Sequence, residues 1–309
     1  MRQTQSDTVS ADTSWPRTPG FFHAPVTVLV GTAHGEVRRR AILDAREQSI
    51  VIDSLPGAPT MVVFDEGNTI VKSLDFPQPT EWLATQLARD PDLWNRWWAI
   101  SQLARRATDP DAAKALATAA TGADYFLTRE HAATALAFFP RAVALPALDV
   151  ARHDSSAQVR AAAITALART GGAESLAALC EAMNDSSYGV QAAAIGALIL
   201  TDSADRASWI ARGLGASSYR DVVRNAALDA LARVGDASYI ARIDSLRGES
   251  ARASNTLAIM SVRGDTTALG VLVHELNDPR AYVRDWSLAL DLRLLAATPA
   301  QLFNVGATR

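Results

Sequence analysis

The sequence predicts a mainly α fold, a long array of two-helix repeats preceded by a small antiparallel β region. Three observations predict it. Residues 21–78 are broken into short β-branched runs separated by turn residues. At Pro79 the apolar period changes from two to three and four and stays so to the end of the chain. One motif, Asp-x-x-x-(x)-Val-Arg-x-x-Ala-x-x-Ala-Leu, then recurs at nearly constant spacing.

Taken in order, residues 1–20, MRQTQSDTVSADTSWPRTPG, are polar and lack the apolar stretch of an export signal. Five strands are expected next: VTVLVGT (26–32), EVRRRAILD (36–44), QSIVIDSL (48–55), TMVVFD (60–65) and TIVKSLDF (69–76). AHG, PGAP and EGN supply the turns between them. Five strands from about 55 residues make a thin sheet or half of a sandwich, which needs something to pack against. Thr80 and Glu81 then suit a helix start, and residues 79–309 read as the helical array.

The clearest copies of the motif are DSSAQVRAAAITAL (154–167) and DSSYGVQAAAIGAL (185–198). SSYRDVVRNAALDAL (217–231) and DPRAYVRDWSLAL (278–290) follow, with degenerate copies at 92–103, 124–136 and 250–260. The arginine position is occupied by Arg96, Arg129, Arg160, Gln191, Arg224, Ser254 and Arg284, steps of 30 to 33 residues. Such a period marks a solenoid. Asp154, Asp185 and Asp278 stand where the second helix of a unit starts and can cap free N–H groups. The arginines Arg160, Arg224 and Arg284 can reach an aspartate of a neighbouring unit. These six residues are therefore read as a structural ladder, each rung worth about 0.2–1 kcal/mol if partly exposed. The valine and small alanines point into the stack.

The composition fits a globular chain: 49% hydrophobic and 20% charged among 309 residues, with a formal net charge of -3. That balance argues against a nucleic-acid partner, which favours a basic face. No apolar run reaches the roughly 18 residues of a membrane span, so a soluble protein is expected, with the compartment left open. The one cysteine, Cys180, allows no internal disulfide and no cysteine-based metal site. His23, His34, His131, His153 and His274 do not pair at metal-ligand spacing; His274-Glu275 begins a zinc-protease helix, but Asp278 stands where the second histidine is needed. No phosphate-binding loop, dinucleotide fingerprint or serine elbow occurs. Ser155-Ser156, Ser186-Ser187 and Ser217-Ser218 repeat with the period and read as helix starts. Trp94, Trp97 and Trp98 share one helix face, with Trp82 one helix earlier. They read either as an aromatic binding surface or as a seal between the β region and the first repeat. Trp209 and Trp286 read as core. Arg38-Arg39-Arg40 reads as a solvated strand edge.

The repeat over about 92–295 resembles HEAT repeats, including the short units of phycobilisome-lyase-type proteins, a likeness informative for fold rather than function. A second resemblance concerns about residues 1–90. Gln3-Thr4-Gln5, Phe22 to Val30, the Val63-Phe64-Asp65-x-Gly67 turn and Lys72-Ser73-Leu74 resemble the β-sandwich of a gluzincin zinc aminopeptidase of the alanyl-aminopeptidase type, peptidase family M-one. That resemblance implies that the chain is the non-catalytic C-terminal region of such an enzyme, cut off inside the sandwich and shaping or gating a peptide chamber. It also implies that zinc belongs only to a missing or separate catalytic domain, which would be the partner. No catalytic, metal or cofactor residue is carried over to this chain. The alternative is a free-standing scaffold that binds a protein or peptide.

Overall fold

The computed structural model describes residues 1–4, 21–247 and 251–276. They form HEAT-like helical repeats with a small antiparallel sheet at the N-terminal end. The chain divides into two compact units, Met1–Ala147 and Leu148–Arg309.

In the first unit, β1 (Ala24–Thr32) is the central strand, flanked by β2 (Gly35–Leu43) and β3 (Pro59–Phe64), both antiparallel to it. Leu29 faces Arg38 on one side and Val63 on the other. Leu29, Met61 and Val63 form the buried cluster of the sheet. β1 is buried along most of its length because it is covered by strands on both edges, whereas β2 is mostly exposed. The runs 48–55 and 69–76 are not strands, so the five-strand expectation is corrected to three. Their apolar residues lack a core to meet: Val51 is 74% and Val71 108% exposed. β-branched residues alone do not make a strand without a neighbour to pair with. The Gln3 segment is no sandwich strand either. Gln3 pins the chain instead, its amide donating to the Phe22 and Ala45 carbonyls and accepting from the Phe22 N–H. Gln5 and the rest of 5–20 lie outside the described residues.

After β3 the chain turns a corner that ties the sheet to the helices. Asp65 adopts a left-handed conformation (φ 58°) and is fully buried. Its carboxylate accepts from the Thr69 and Ile70 N–H groups, from the Thr69 hydroxyl at 2.6 Å and from Lys72 Nζ at 2.6 Å. Burial pushes this carboxyl up, but the bonds from Lys72, Thr69 and Ile70 outweigh it and hold the group below the usual aspartate range. Lys72 also donates to Asn68, whose amide reaches Asp92 and Asn95 of the first helical pair.

That pair is α1 (Thr80–Arg89) and α2 (Leu93–Ala104); α3 (Pro110–Gly122) and α4 (Phe126–Leu136) make the next. Asp92 caps α2 by accepting from the Trp94 N–H at 2.8 Å. Asp109 caps α3, which has Pro110 at its first position, where a missing N–H costs nothing. α1 packs on β3 as well as on α2 and α3, and α2 packs on α4. The thin sheet thus shares its core with the first helices, and the boundary between compact units falls within α5 (Arg141–Ala151) rather than at Pro79.

The second unit continues with α6 (Ala157–Thr170), α7 (Ala173–Ala182), α8 (Tyr188–Thr201), α9 (Arg206–Leu214), α10 (Val222–Val234), α11 (Ile240–Ser245), α12 (Ala251–Val262) and α13 (Thr266–Leu276). α8 packs on α6 and α10, and α10 on α12, so the second helices form a continuous layer. The first helices fill the other layer, α7 against α6 and α8, α9 against α8 and α10. The core is mainly alanine with one large residue per turn, such as Ile164, Leu167, Ile195, Leu198, Leu228 and Leu231. At Gly213 a Cβ would lie 2.6 Å from Ala227 Cβ and 2.9 Å from Ile195 Cγ1, so α9 seats on its neighbours only as glycine. α6 and α7 are joined through Gly171 and Gly172, both at positive φ, which allows the tight reversal.

Candidate interaction surface

Four side chains of the ladder position bond alike in the turn between first and second helices, whereas Ser254 is buried with no bond from its hydroxyl. Arg96 donates to the carbonyl of Asp90, Arg129 to that of Ala123, Arg160 to that of Asp154 and Gln191 to that of Asp185. In each case the acceptor lies six residues back. The polar side chain therefore closes the turn and satisfies a carbonyl that no helix can. A neutral glutamine does this as well as an arginine.

The arginine adds a bond to the next copy. Arg160 holds Asp185 with two parallel bonds of 2.8 Å, both side chains about 85% shielded from solvent (16% and 15% exposed). Arg96 reaches Asp124 through a single bond of 2.8 Å, with the aspartate side chain 80% exposed. The guanidinium of Arg160 holds the Asp185 carboxyl below the usual range, against the effect of burial. Asp154 and Asp185 accept from the N–H groups of Ser156 and Ser187, the N-cap residues of α6 and α8, and so fix the turn one step ahead of the helix. Arg224 is placed differently. The residue six before it is Ser218, not an aspartate, and Arg224 donates to the Leu214 carbonyl and pairs with Asp221 at 3.6 Å. Arg220 and Asp221 both take left-handed φ values of 55° to accommodate this altered turn. Asp278 and Arg284 lie outside the described residues, as does Trp286.

Between the turns before α6 and α8 lies an open groove of 560 Å³. Arg152, His153, Arg160, Glu181, Asn184 and Asp185 line it over an apolar floor that includes Ile164 and Val190. Arg152 is bonded to Asp149 and Glu181, and Arg160 to Asp185. The groove is thus lined by charges already joined to one another, not by charges aimed into it.

The accessible residues of the second helices differ between the two units. In the second unit they are short at their centres: Ala161, Ala162 and Thr165 on α6, Ala192, Ala193 and Gly196 on α8, Asn225, Ala226 and Asp229 on α10, the last of these paired with Arg252. In the first unit they include aromatic rings. Trp94 is 59% exposed, and its ring lies 5.8 Å from that of Trp97. Trp97 in turn stacks on His131 of α4 with centroids 4.0 Å apart. His131 Nδ1 sits 2.7 Å from the Leu127 carbonyl, which fixes the ring in that stack. Trp98 stacks on Phe76 of the segment leading out of the β region, with centroids 6.4 Å apart. The tryptophan cluster is thus divided: Trp98 seals, while Trp94 and Trp97 line a surface. His131 stands 33 residues after Trp98, the spacing that relates Arg96 to Arg129. Trp209 is half-buried, its indole N–H donating to Asp202 at 2.9 Å.

Among the described residues no group of three or more His, Cys, Asp or Glu could hold a metal ion. No helix among them is long and apolar enough to cross a membrane. Cys180 is half-buried, and burial pushes its thiol up.

A family model described as HEAT repeats matches residues 144–232. No curated protein sequence matches the chain. Among solved structures, the chain is similar to YibA of Escherichia coli at 16% identity, with a TM-score of 0.41, over 69% of this chain and 80% of that one. It is similar to the CpcE–CpcF complex of phycocyanin lyase from Nostoc sp. PCC7120 at 19% identity, TM-score 0.35, covering 65% and 96%. A designed armadillo repeat protein in complex with peptide (KR)4 matches at 16% identity, TM-score 0.33, covering 70% and 96%. The aminopeptidase resemblance is overturned by these findings. The family match is to HEAT repeats, and the β region is a three-stranded sheet tied to α1 and α2, in which the quoted Gln3 and Lys72 segments form no strand. The peptide chamber and the catalytic partner implied by that resemblance fall with it. Residues 144–232 match HEAT repeats, and they lie within a mainly α fold of HEAT-like repeats.

Proposed function

We infer that this protein is a HEAT-repeat scaffold that binds a protein or peptide on the surface of its second-helix layer. One observation carries the reading: the periodic charged residues are spent on closing turns and joining copies. What remains accessible between the turns is a surface of short side chains in one unit and of aromatic rings in the other. Repeat arrays of this kind offer extended binding faces because each unit contributes one helix to a continuous layer.

The test is site-directed photocrosslinking. A photoreactive residue is placed at Thr165 and Asn225 of the second-helix layer and, as controls, at Thr118 and Glu174 of first helices. Partner adducts formed at the former pair and not at the latter support the reading. Adducts confined to the first helices would overturn it.

A further inference from the structure

Resting on that reading, we propose that the aromatic face of the second helices of the first unit, α2 and α4, takes a cationic segment, an extended stretch bearing lysine or arginine side chains. The surface is built for positive charge in three ways. Trp94 and Trp97 present indole rings, 59% exposed in the case of Trp94, and their faces are electron-rich. The cations nearby are withdrawn from it. Arg96 is folded back onto the Asp90 carbonyl and Asp124, and Arg129 onto the Ala123 and Asp124 carbonyls. The carboxylates stay in reach of solvent. The Asp124 side chain is 80% exposed, its Oδ1 accepting from Arg96 and from the Tyr125 N–H, and Glu130 precedes His131 on α4. The first turn of α4 adds Tyr125, 36% exposed and 5.0 Å from Phe126. Exposed indole rings on α2, with Arg96 and Arg129 tied into the turns, complement a guanidinium or ammonium group.

The experiment measures binding of fluorescein-labelled decaarginine, decalysine, decacitrulline and decaglutamate peptides to the full chain by anisotropy. Citrulline keeps the planar shape of arginine and removes its charge. Decaarginine is expected to bind, with decacitrulline and decaglutamate at least tenfold weaker. Trp94→Ala, a change at an exposed position that leaves the charge of the protein unaltered, is expected to weaken decaarginine about 5- to 10-fold with the melting temperature unchanged. Trp97→Ala is the second variant and gives a loss of the same order. An unchanged affinity in Trp94→Ala overturns the proposal, because attraction by net charge alone is blind to that substitution. Equal binding of decacitrulline and decaarginine also overturns it. In either case the photocrosslinks described above decide separately whether the second-helix layer binds a partner at all.

Discussion

The two compact units build one kind of layer from different materials. In the second, the turns before the alanine-rich helices α6 and α8 are closed by the same bond to the carbonyl six residues back, and the Arg160–Asp185 rung joins one of these turns to the next. In the first, the helices carry tryptophans, and the sheet is held through a single buried corner, Asp65–Lys72–Asn68, that occurs once. Redundant parts tolerate loss; a unique buried charge does not. The difference predicts where substitutions are costly.

The largest effect is expected at the corner. Lys72→Met leaves the fully buried Asp65 carboxylate without its cation, which costs about 3–5 kcal/mol. A urea titration checks it, and adding Asp65→Asn should recover part of the loss. If Lys72→Met unfolds like the wild type, the corner is not what holds the sheet.

Packing comes next. Gly213→Ala puts a methyl group 2.6 Å from Ala227 and should cost about 1–3 kcal/mol, read as a lower melting temperature. Gly122→Ala, with open space around the site, is the matched control and should change little.

The rung has a smaller effect with a distinctive pH signature. The folded Asp185 carboxyl titrates below its unfolded value of 3.8, so its contribution is fully present above that value and is lost as pH falls through the depressed pKa. Asp185→Asn should lower stability by about 1–2 kcal/mol at neutral pH. Its melting temperature should converge on that of the wild type in acid. Parallel curves down to the lowest measurable pH would break the account of the rung. The smallest effect is at Trp94→Ala, where exposure should keep the stability change within about 0.5 kcal/mol by the same melting assay.

The repeat was legible in the sequence because it repeats. Asp154, Arg160, Asp185 and Gln191 stand in register, and helical periodicity continues between them. What each side chain does in the turn was less legible. The bond from the ladder position to the carbonyl six residues back is a matter of backbone geometry, and Gln191 makes it without a charge. The strands at 48–55 and 69–76 were misread because Val51 and Val71 look like strand residues, while pairing depends on a neighbour that local sequence does not encode. The corner was hidden for a related reason. Asp65 and Asn68 look like ordinary turn residues, and only the fold brings them to Lys72, Asp92 and Asn95. His131 was recoverable from the repeat alignment with Trp98, but a histidine was weighed for metal spacing rather than for stacking.

The central claim is that the ladder residues hold the array together and the helix faces between them bind. The most direct measurement is partner affinity for Arg160→Met at a temperature where the variant is fully folded. The account predicts an affinity within twofold of the wild type alongside a lowered melting temperature. A tenfold loss of affinity with the fold intact would make Arg160 a contact residue and contradict it.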